Sequence, residues 1–149
     1  MNKPAKKVCL LGKLPSKFKA PFRDPDFDIW TLNYHAQELP RVDEWFDIHS
    51  YNPNPKATIT RANYPFEKAK KLLGGNYFNN TVSYMIAYAI LKRYKDIYLY
   101  GMKFINDNER RNAEFNNVRE LIFFAKGKGI EIHAPVDKEM LKEYKLYGV

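Results

Sequence analysis

The chain has 149 residues, which is long enough for one domain with a hydrophobic core and too short for two. Its formal net charge of +8 favours an anionic partner, whether nucleic acid, nucleotide or phosphorylated metabolite. No apolar segment is long enough to cross a membrane, and the apolar run after the basic start ends at Gly12, too early for a secretory signal. A single cysteine, Cys9, excludes an internal disulfide. We therefore expect one cytoplasmic domain with no membrane partner.

Five short apolar runs have the composition of β-strands that are buried on both faces. In chain order they span residues 7–12, 28–33, 44–49, 96–102 and 130–135. Three segments with helical spacing of apolar residues lie between or after them, namely "YPFEKAKKLLG", "NNTVSYMIAYAILKRY" and "NAEFNNVRELIFFAKGKG". This pattern predicts the α/β fold class, as a three-layer Rossmann-like sandwich with a mostly parallel sheet of about five strands.

The segment 50–64 is rich in proline and asparagine and is predicted to be a long surface loop. A loop of this length in a small domain is either a functional lid, an assembly contact or an inert connection. The sequence leaves these alternatives open. Together with the many aromatic residues, the loop favours a closed homo-oligomer.

The first predicted strand ends at Gly12 and is followed at once by "KLPSK". An apolar strand that ends in a glycine and a basic turn is typical of phosphate-binding loops, although the usual second and third glycines are absent. Gly12 would allow close approach to the backbone, and Lys13, Ser16 and Lys17 would supply donors. The alternative is an ordinary turn with solvated lysines. We predict that this turn forms a phosphate-facing wall.

In an open parallel sheet, ligands bind beyond the carboxyl ends of the strands. Polar residues and glycines follow the predicted strands there, and the start of the second helix favours an anion. At that helix start, Asn80 and Thr81 are equally well explained as plain caps. The candidate ligand-binding residues are Gly12, Lys13, Ser16, Lys17, Asn33, Tyr34, His49, Tyr51, Asn80, Thr81, Tyr84, Gly101, Lys103, Arg110 and Arg111.

Several of these residue types suit a nucleotide. Arg110 and Arg111 lie in a polar loop before the last predicted helix, and their forked guanidinium groups match phosphate. Since adjacent side chains diverge, we expect at most one of them to reach the ligand. Tyr34, Tyr51 and Tyr84 offer ring faces on which a purine could stack.

Groups for catalysis are harder to identify. Asp43, Asp47 and Glu114 are acidic candidates near the rim, but their spacing defines neither a carboxylate pair nor a metal site. The three histidines lack zinc-ligand spacing, and no Gly-x-Ser-x-Gly elbow or complete phosphate-loop motif occurs. We therefore expect no catalytic residue, no metal and no cofactor, and a ligand that is returned intact.

The segments "DIWTLNYHAQELPRVDEWFDIH", "YFNNTVSYMIAYAILKRYKDIYLYGMKF" and "AKGKGIEIHAP" resemble small phage-encoded Rossmann-like proteins over residues 28–135. Within that group the chain is similar to the anti-CBASS sponge proteins. The resemblance implies an oligomeric protein, not an enzyme, that sequesters cyclic dinucleotide signals in the host cytoplasm. A nearly twofold ligand also suits a site at the interface between identical subunits.

Two other functions stay open. One is a nucleotide- or nucleoside-processing enzyme on the same scaffold, which would transfer a glycosyl or pyrophosphate group with Asp47 or Glu114. The other is a nucleic-acid-binding module, which the net charge favours. However, the sequence shows neither a recognition helix nor a basic stripe with interleaved aromatics, so nucleic acid is the least expected partner.

Overall fold

A computed structural model describes residues 7–33, 38–102 and 108–149, which form one sheet and three α-helices. The strands are β1 (Lys7–Leu11), β2 (Phe27–Leu32), β3 (Glu44–Asp47), β4 (Ile59–Thr60), β5 (Asp96–Tyr100) and β6 (Glu131–His133). The α-helices are α1 (Phe66–Leu73), α2 (Thr81–Leu91) and α3 (Glu109–Gly127), and 3-10 helices span Pro15–Lys19 and Lys138–Leu141.

All six strands are parallel, and their order across the sheet is β4-β3-β2-β1-β5-β6. The predicted Rossmann-like α/β class is confirmed, with six strands rather than about five. From β1 to β4, each strand is added on one side of its predecessor, whereas β5 and β6 are added on the other side of β1. The direction in which strands are added therefore reverses between β1 and β5. In this fold class, a reversal of strand order opens a crevice at the carboxyl ends of the two strands.

The additional strand, β4, lies inside the segment 50–64 that we predicted as a loop. It has only two residues and extends the sheet edge by pairing Ile59 with Phe46 and Thr60 with Asp47. A two-residue strand between polar segments carries no periodic signal, which is why the sequence pattern does not reveal it.

Side chains alternate between the two faces of the sheet. In β1, Val8 and Leu10 point into the larger apolar cluster, which contains residues of all three α-helices. Cys9 and Leu11 belong to a smaller cluster on the opposite face, covered by irregular segments around Ala20. The layer on that face is therefore built from a 3-10 helix and loops. Burial raises the pKa of the Cys9 thiol to about 12, as expected for a packed rather than a reactive cysteine.

The helix starts near the crevice are capped by asparagines. Asn80 Oδ1 accepts the Ser83 N–H at 3.1 Å, and Asn108 Oδ1 accepts the Arg111 N–H at 2.8 Å. The second cap starts α3 earlier than the segment "NAEF" suggested, so Arg110 and Arg111 lie in the first helical turn and not in a loop. Among the described residues, none of the helices combines the length and the apolar character needed to cross a membrane.

Candidate functional site

A cavity of about 290 Å³ lies where β1 and β5 end. Its walls come from the turns that follow the central strands and from the first turns of α2 and α3. The lining residues are Gly12, Lys13, Leu14, Leu32, Asn33, His49, Asn79, Asn80, Thr81, Val82, Gly101, Met102, Arg110, Arg111 and Glu114. The cavity therefore occupies the crevice that the reversal of strand order creates.

Most of the sequence-predicted residues line this cavity. They are Gly12, Lys13, Asn33, His49, Asn80, Thr81, Gly101, Arg110 and Arg111. Ser16, Lys17, Tyr51 and Tyr84 do not line it. Two further candidates, Tyr34 and Lys103, lie outside the described residues.

Ser16, which we predicted to donate to phosphate, instead fixes the wall of the cavity. Its hydroxyl oxygen accepts the Gly101 N–H at 3.0 Å, and the hydroxyl donates to the Asp137 carboxylate at 3.3 Å. The same carboxylate accepts the Met102 N–H at 3.0 Å. Ser16 is thus a structural link between the turn after β1, the end of β5 and the segment after β6.

Lys17 is also placed in a supporting position, because the 3-10 helix that begins at Pro15 turns it into the protein. Its side chain is among the fully buried ones, with 1% of the residue exposed. The ammonium group donates to the Lys13 carbonyl oxygen at 3.3 Å, and burial lowers its pKa. Of the two lysines predicted for this turn, Lys13 alone lines the cavity.

The two described tyrosines proposed for purine stacking lie elsewhere. Tyr84 stacks on Phe78 with ring centroids 4.6 Å apart and meets Tyr64 edge-on at 5.1 Å. It belongs to an aromatic cluster of the helical layer. Tyr51 is 76% exposed in the loop after β3. The structure therefore gives neither ring a place in the cavity wall.

We predicted that Gly12 allows another group to approach its backbone closely. In the structure, that group is the backbone at the end of the neighbouring strand β5. The Gly12 N–H donates to the Tyr100 carbonyl at 2.8 Å, and the Leu14 N–H donates to the Gly101 carbonyl at 3.2 Å. Gly101 has a φ of +70°, a left-handed conformation that favours glycine. The two glycines thus let the ends of β1 and β5 meet at the floor of the cavity.

Asn117 links the start of α2 to α3. It is 5% exposed, and its Oδ1 accepts the Asn79 N–H at 3.0 Å and the Ser83 hydroxyl at 2.5 Å. Its Nδ2 donates to the Tyr77 carbonyl at 2.6 Å. These bonds fix the start of α2 against the middle of α3, so that the first turns of both helices line the same cavity. First-turn N–H groups have no acceptor within their own helix and attract anions.

Asn80 and Thr81 have different roles. The Asn80 side chain is a helix cap, which agrees with the plain-cap interpretation. The Thr81 hydroxyl donates to Asn33 Oδ1 at 3.3 Å across the cavity wall. Asn33 has a φ of +53°, and its carbonyl oxygen accepts the Trp45 indole N–H at 2.6 Å. This turn after β2 is therefore a fixed part of the wall.

Cationic side chains predominate at the cavity. Among the described residues, Lys13, Arg110 and Arg111 line it together with one carboxylate, Glu114, whose Oε1 accepts the Arg110 Nε–H at 3.2 Å. Both arginines line the wall, whereas we expected at most one to reach the ligand; which of them contacts a ligand stays a prediction. The excess of positive charge suits an anionic group such as phosphate.

Asp47 and His49 form a pair beside the cavity. Asp47 Oδ1 lies 2.6 Å from His49 Nδ1, and Asp47 Oδ2 accepts the Asn54 N–H at 2.9 Å. Burial alone would raise the pKa of the Asp47 carboxyl, but the hydrogen bonds from Asn54 and His49 outweigh burial and lower it. In the sequence alone, Asp47 and His49 are two separate candidates. Their spacing of two residues at a strand end was the signal that could have joined them.

No protein-family model matches the chain, and no curated protein has significant sequence similarity to it. Among solved structures, the fold is similar to that of the sialyltransferase CstII from Campylobacter jejuni, determined in complex with the substrate analogue CMP-3FNeuAc. The TM-score is 0.52 and the sequence identity is 17%, over 91% of this chain and 81% of that chain. The similarity is therefore one of fold.

This comparison contradicts the prediction that the protein is not an enzyme, because the fold that the chain shares is that of a sialyltransferase. We therefore withdraw that prediction. None of the comparisons tests the resemblance to anti-CBASS sponge proteins, the cyclic dinucleotide ligand or the homo-oligomer, and these stay predictions.

Proposed function

We propose that the protein is a nucleotide-processing enzyme that transfers a glycosyl group from a nucleotide sugar. The observation that carries the proposal is the convergence of two helix N-termini with Lys13, Arg110 and Arg111 on one cavity between β1 and β5. This arrangement offers N–H donors, helix dipoles and fixed charges to a phosphate. The shared fold with a sialyltransferase bound to a CMP-linked substrate analogue supports it.

The size of the cavity agrees with this function. Its volume of about 290 Å³ is close to the lower limit of small-molecule pockets, which is roughly 300 Å³. We therefore expect it to hold the nucleoside phosphate, with the acceptor approaching across the rim that His49 lines.

Glycosyl transfer places new negative charge on the phosphate of the departing nucleotide. Preorganised donors stabilise developing charge most effectively in a site that excludes water. The first turns of α2 and α3, with Arg110 and Arg111 among the residues that line the cavity, would supply this stabilisation.

The first test is a panel of donors. Purified protein is incubated with CMP-, UDP- and GDP-linked sugars, with and without mixed oligosaccharide acceptors, and the freed nucleotide is measured by anion-exchange chromatography. We expect one class of nucleotide to be released, faster when an acceptor is present. Cyclic dinucleotides form a parallel arm. Their recovery intact from the protein, with no nucleotide released from any sugar donor, would overturn the proposal in favour of sequestration.

The second test locates the phosphate on α3. Arg111→Gln and Lys126→Gln each remove one positive charge from this helix, at positions about 22 Å apart along its axis. We expect Arg111→Gln to weaken binding of the released nucleotide by about tenfold to a hundredfold, as for a lost charge-assisted contact. Lys126→Gln should leave binding unchanged. Equal losses in the two variants would show that net charge, and not this site, attracts the nucleotide.

A further inference from the structure

We infer that His49 is the general base of the proposed transfer, that its Nε2 takes the proton of the acceptor hydroxyl, and that Asp47 is the positioning residue that fixes the imidazole. The inference rests on the proposed function, since it assigns a residue to that reaction. It also predicts which ring nitrogen of His49 carries the hydrogen in the ligand-free protein, and this can be tested without any substrate.

Hydrogen bonding determines which ring nitrogen carries the hydrogen. An ionised carboxylate only accepts hydrogen bonds, so the 2.6 Å contact between Asp47 Oδ1 and His49 Nδ1 requires a hydrogen on Nδ1. In the neutral ring, Nε2 is then the atom with a free lone pair. This is the orientation in which a carboxylate prepares a histidine to accept a proton from a hydroxyl.

The surroundings of the pair favour a chemical role over a merely structural one. The Asp47 side chain is 4% exposed and lies at the end of β3, where pairing with Thr60 of β4 holds it in the sheet. The Asn54 and His49 N–H groups already donate to the Asp47 carboxylate and anchor the following loop. The imidazole is an addition to that anchor, and its side chain is 61% exposed while lining the cavity with the arginines.

The acceptor oxygen forms a bond to the anomeric carbon of the donor sugar while its hydroxyl proton moves to His49 Nε2. The bond from that carbon to the phosphate oxygen breaks, and its electron pair leaves on the nucleotide. The imidazolium is stabilised by the adjacent Asp47 carboxylate and later gives its proton to water.

A first experiment reads the tautomer directly. Long-range proton–nitrogen NMR spectra of the ¹⁵N-labelled protein are recorded for the parent and for His49→Gln, which assigns the His49 signals by their loss. We expect a protonated Nδ1 and an unprotonated Nε2. His133 is an internal control, because its Nε2 lies 2.9 Å from Asp96 and should carry the hydrogen instead. An Nε2-protonated His49 in the neutral parent would overturn the inference, whatever the activity.

A second experiment measures turnover. We expect His49→Gln and Asp47→Asn to lower kcat for transfer by about 10²- to 10⁴-fold, with little change in donor binding. Asp47→Asn should also move the hydrogen of His49 to Nε2, because an asparagine amide can donate to Nδ1. His133→Gln is the matched control, because His133 also pairs with a carboxylate but does not line the cavity, and it should leave kcat unchanged. Melting temperatures confirm that each variant is folded.

The outcomes separate the two proposals. If His49→Gln transfers at the parental rate, the base assignment is wrong and the proposed function stands. If the parent transfers from no nucleotide sugar, the proposed function is wrong and the base assignment falls with it.

Discussion

A Cβ atom on Gly12 would lie 2.1 Å from the carbonyl oxygen of Gly101. The contact is with backbone, which cannot move aside as the end of a flexible side chain can. The floor of the cavity is therefore a place where two strand ends are in contact along their backbones.

Gly12→Ala should lower the free energy of unfolding by about 1 to 3 kcal/mol or more, because the new methyl group forces β1 and β5 apart. Gly127→Ala is the control, since a Cβ at that position in α3 meets nothing within 4 Å. It should raise stability by about 0.5 to 1 kcal/mol, since alanine is the better helix former. Urea unfolding of both variants measures the two effects, and equal stabilities would contradict this account of Gly12.

Lys13→Ala should weaken nucleotide binding by about tenfold to a hundredfold if the ammonium group contacts the phosphate. Lys19→Ala is the control in the same turn, because Lys19 is exposed and does not line the cavity. Calorimetric titration at constant salt compares the two variants with the parent. If Lys13→Ala binds nucleotide with the affinity of the parent, the segment after β1 is an ordinary turn that does not contact the phosphate.

Asn117→Ala should lower the free energy of unfolding by about 1 to 3 kcal/mol, because it leaves buried partners such as the Asn79 N–H and the Ser83 hydroxyl without their acceptor. The neighbouring Asn116 is exposed, so Asn116→Ala should change stability by no more than about 0.5 kcal/mol. Thermal or urea unfolding tests both. We also expect Asn117→Ala to weaken nucleotide binding, since the first turns of α2 and α3 lose their alignment.

The contribution of Asp47 to stability should depend on pH. Its pKa in the folded protein is below the ordinary value of 3.8, so at acid pH the unfolded chain binds more protons than the folded one. The stabilisation is therefore complete above the ordinary pKa and is lost as the pH falls through the folded value. We expect the parent to exceed Asp47→Asn by about 1 to 3 kcal/mol at neutral pH, with the gap closing below about pH 4.

Urea unfolding between about pH 7 and pH 2 follows that gap. Asp26→Asn, at an exposed position, is the control and should differ from the parent by the same small amount throughout. A gap between the parent and Asp47→Asn that stays constant into the acid range would show that the Asp47 carboxylate does not stabilise the fold through its charge.

The sheet could be predicted because buried parallel strands are continuous apolar runs, and each of the five predicted runs overlaps a strand. β4 could not be predicted, because a strand of two residues shows no periodic pattern of apolar residues. The start of α3 was placed late because the cap at Asn108 lies among polar residues that resemble a loop. In each case the missing information is a hydrogen bond that local composition does not encode.

The sequence placed residues at the cavity wall correctly where strand ends determine position, as for Gly12, Asn33 and Gly101, while their contact with a ligand stays a prediction. The prediction was wrong where the direction of a side chain determines whether the residue lines the cavity. A lysine in a turn has the same sequence signature whether it points into the cavity, as Lys13 does, or into the protein, as Lys17 does. The role of Ser16 depends on Asp137, which is 121 positions away in the sequence. A local sequence pattern therefore cannot predict it.

The link from Ser16 to Gly101 and Asp137 also bears on how the protein is made. It joins positions 85 and 121 residues apart, and closing such long loops costs more chain entropy than forming a local contact. Asp137 follows β6, so it leaves the ribosome after the six strands and three α-helices of the described residues have been synthesised. The wall of the cavity therefore cannot be completed before the segment that contains Asp137 has been synthesised, even if the strands that it joins are made earlier.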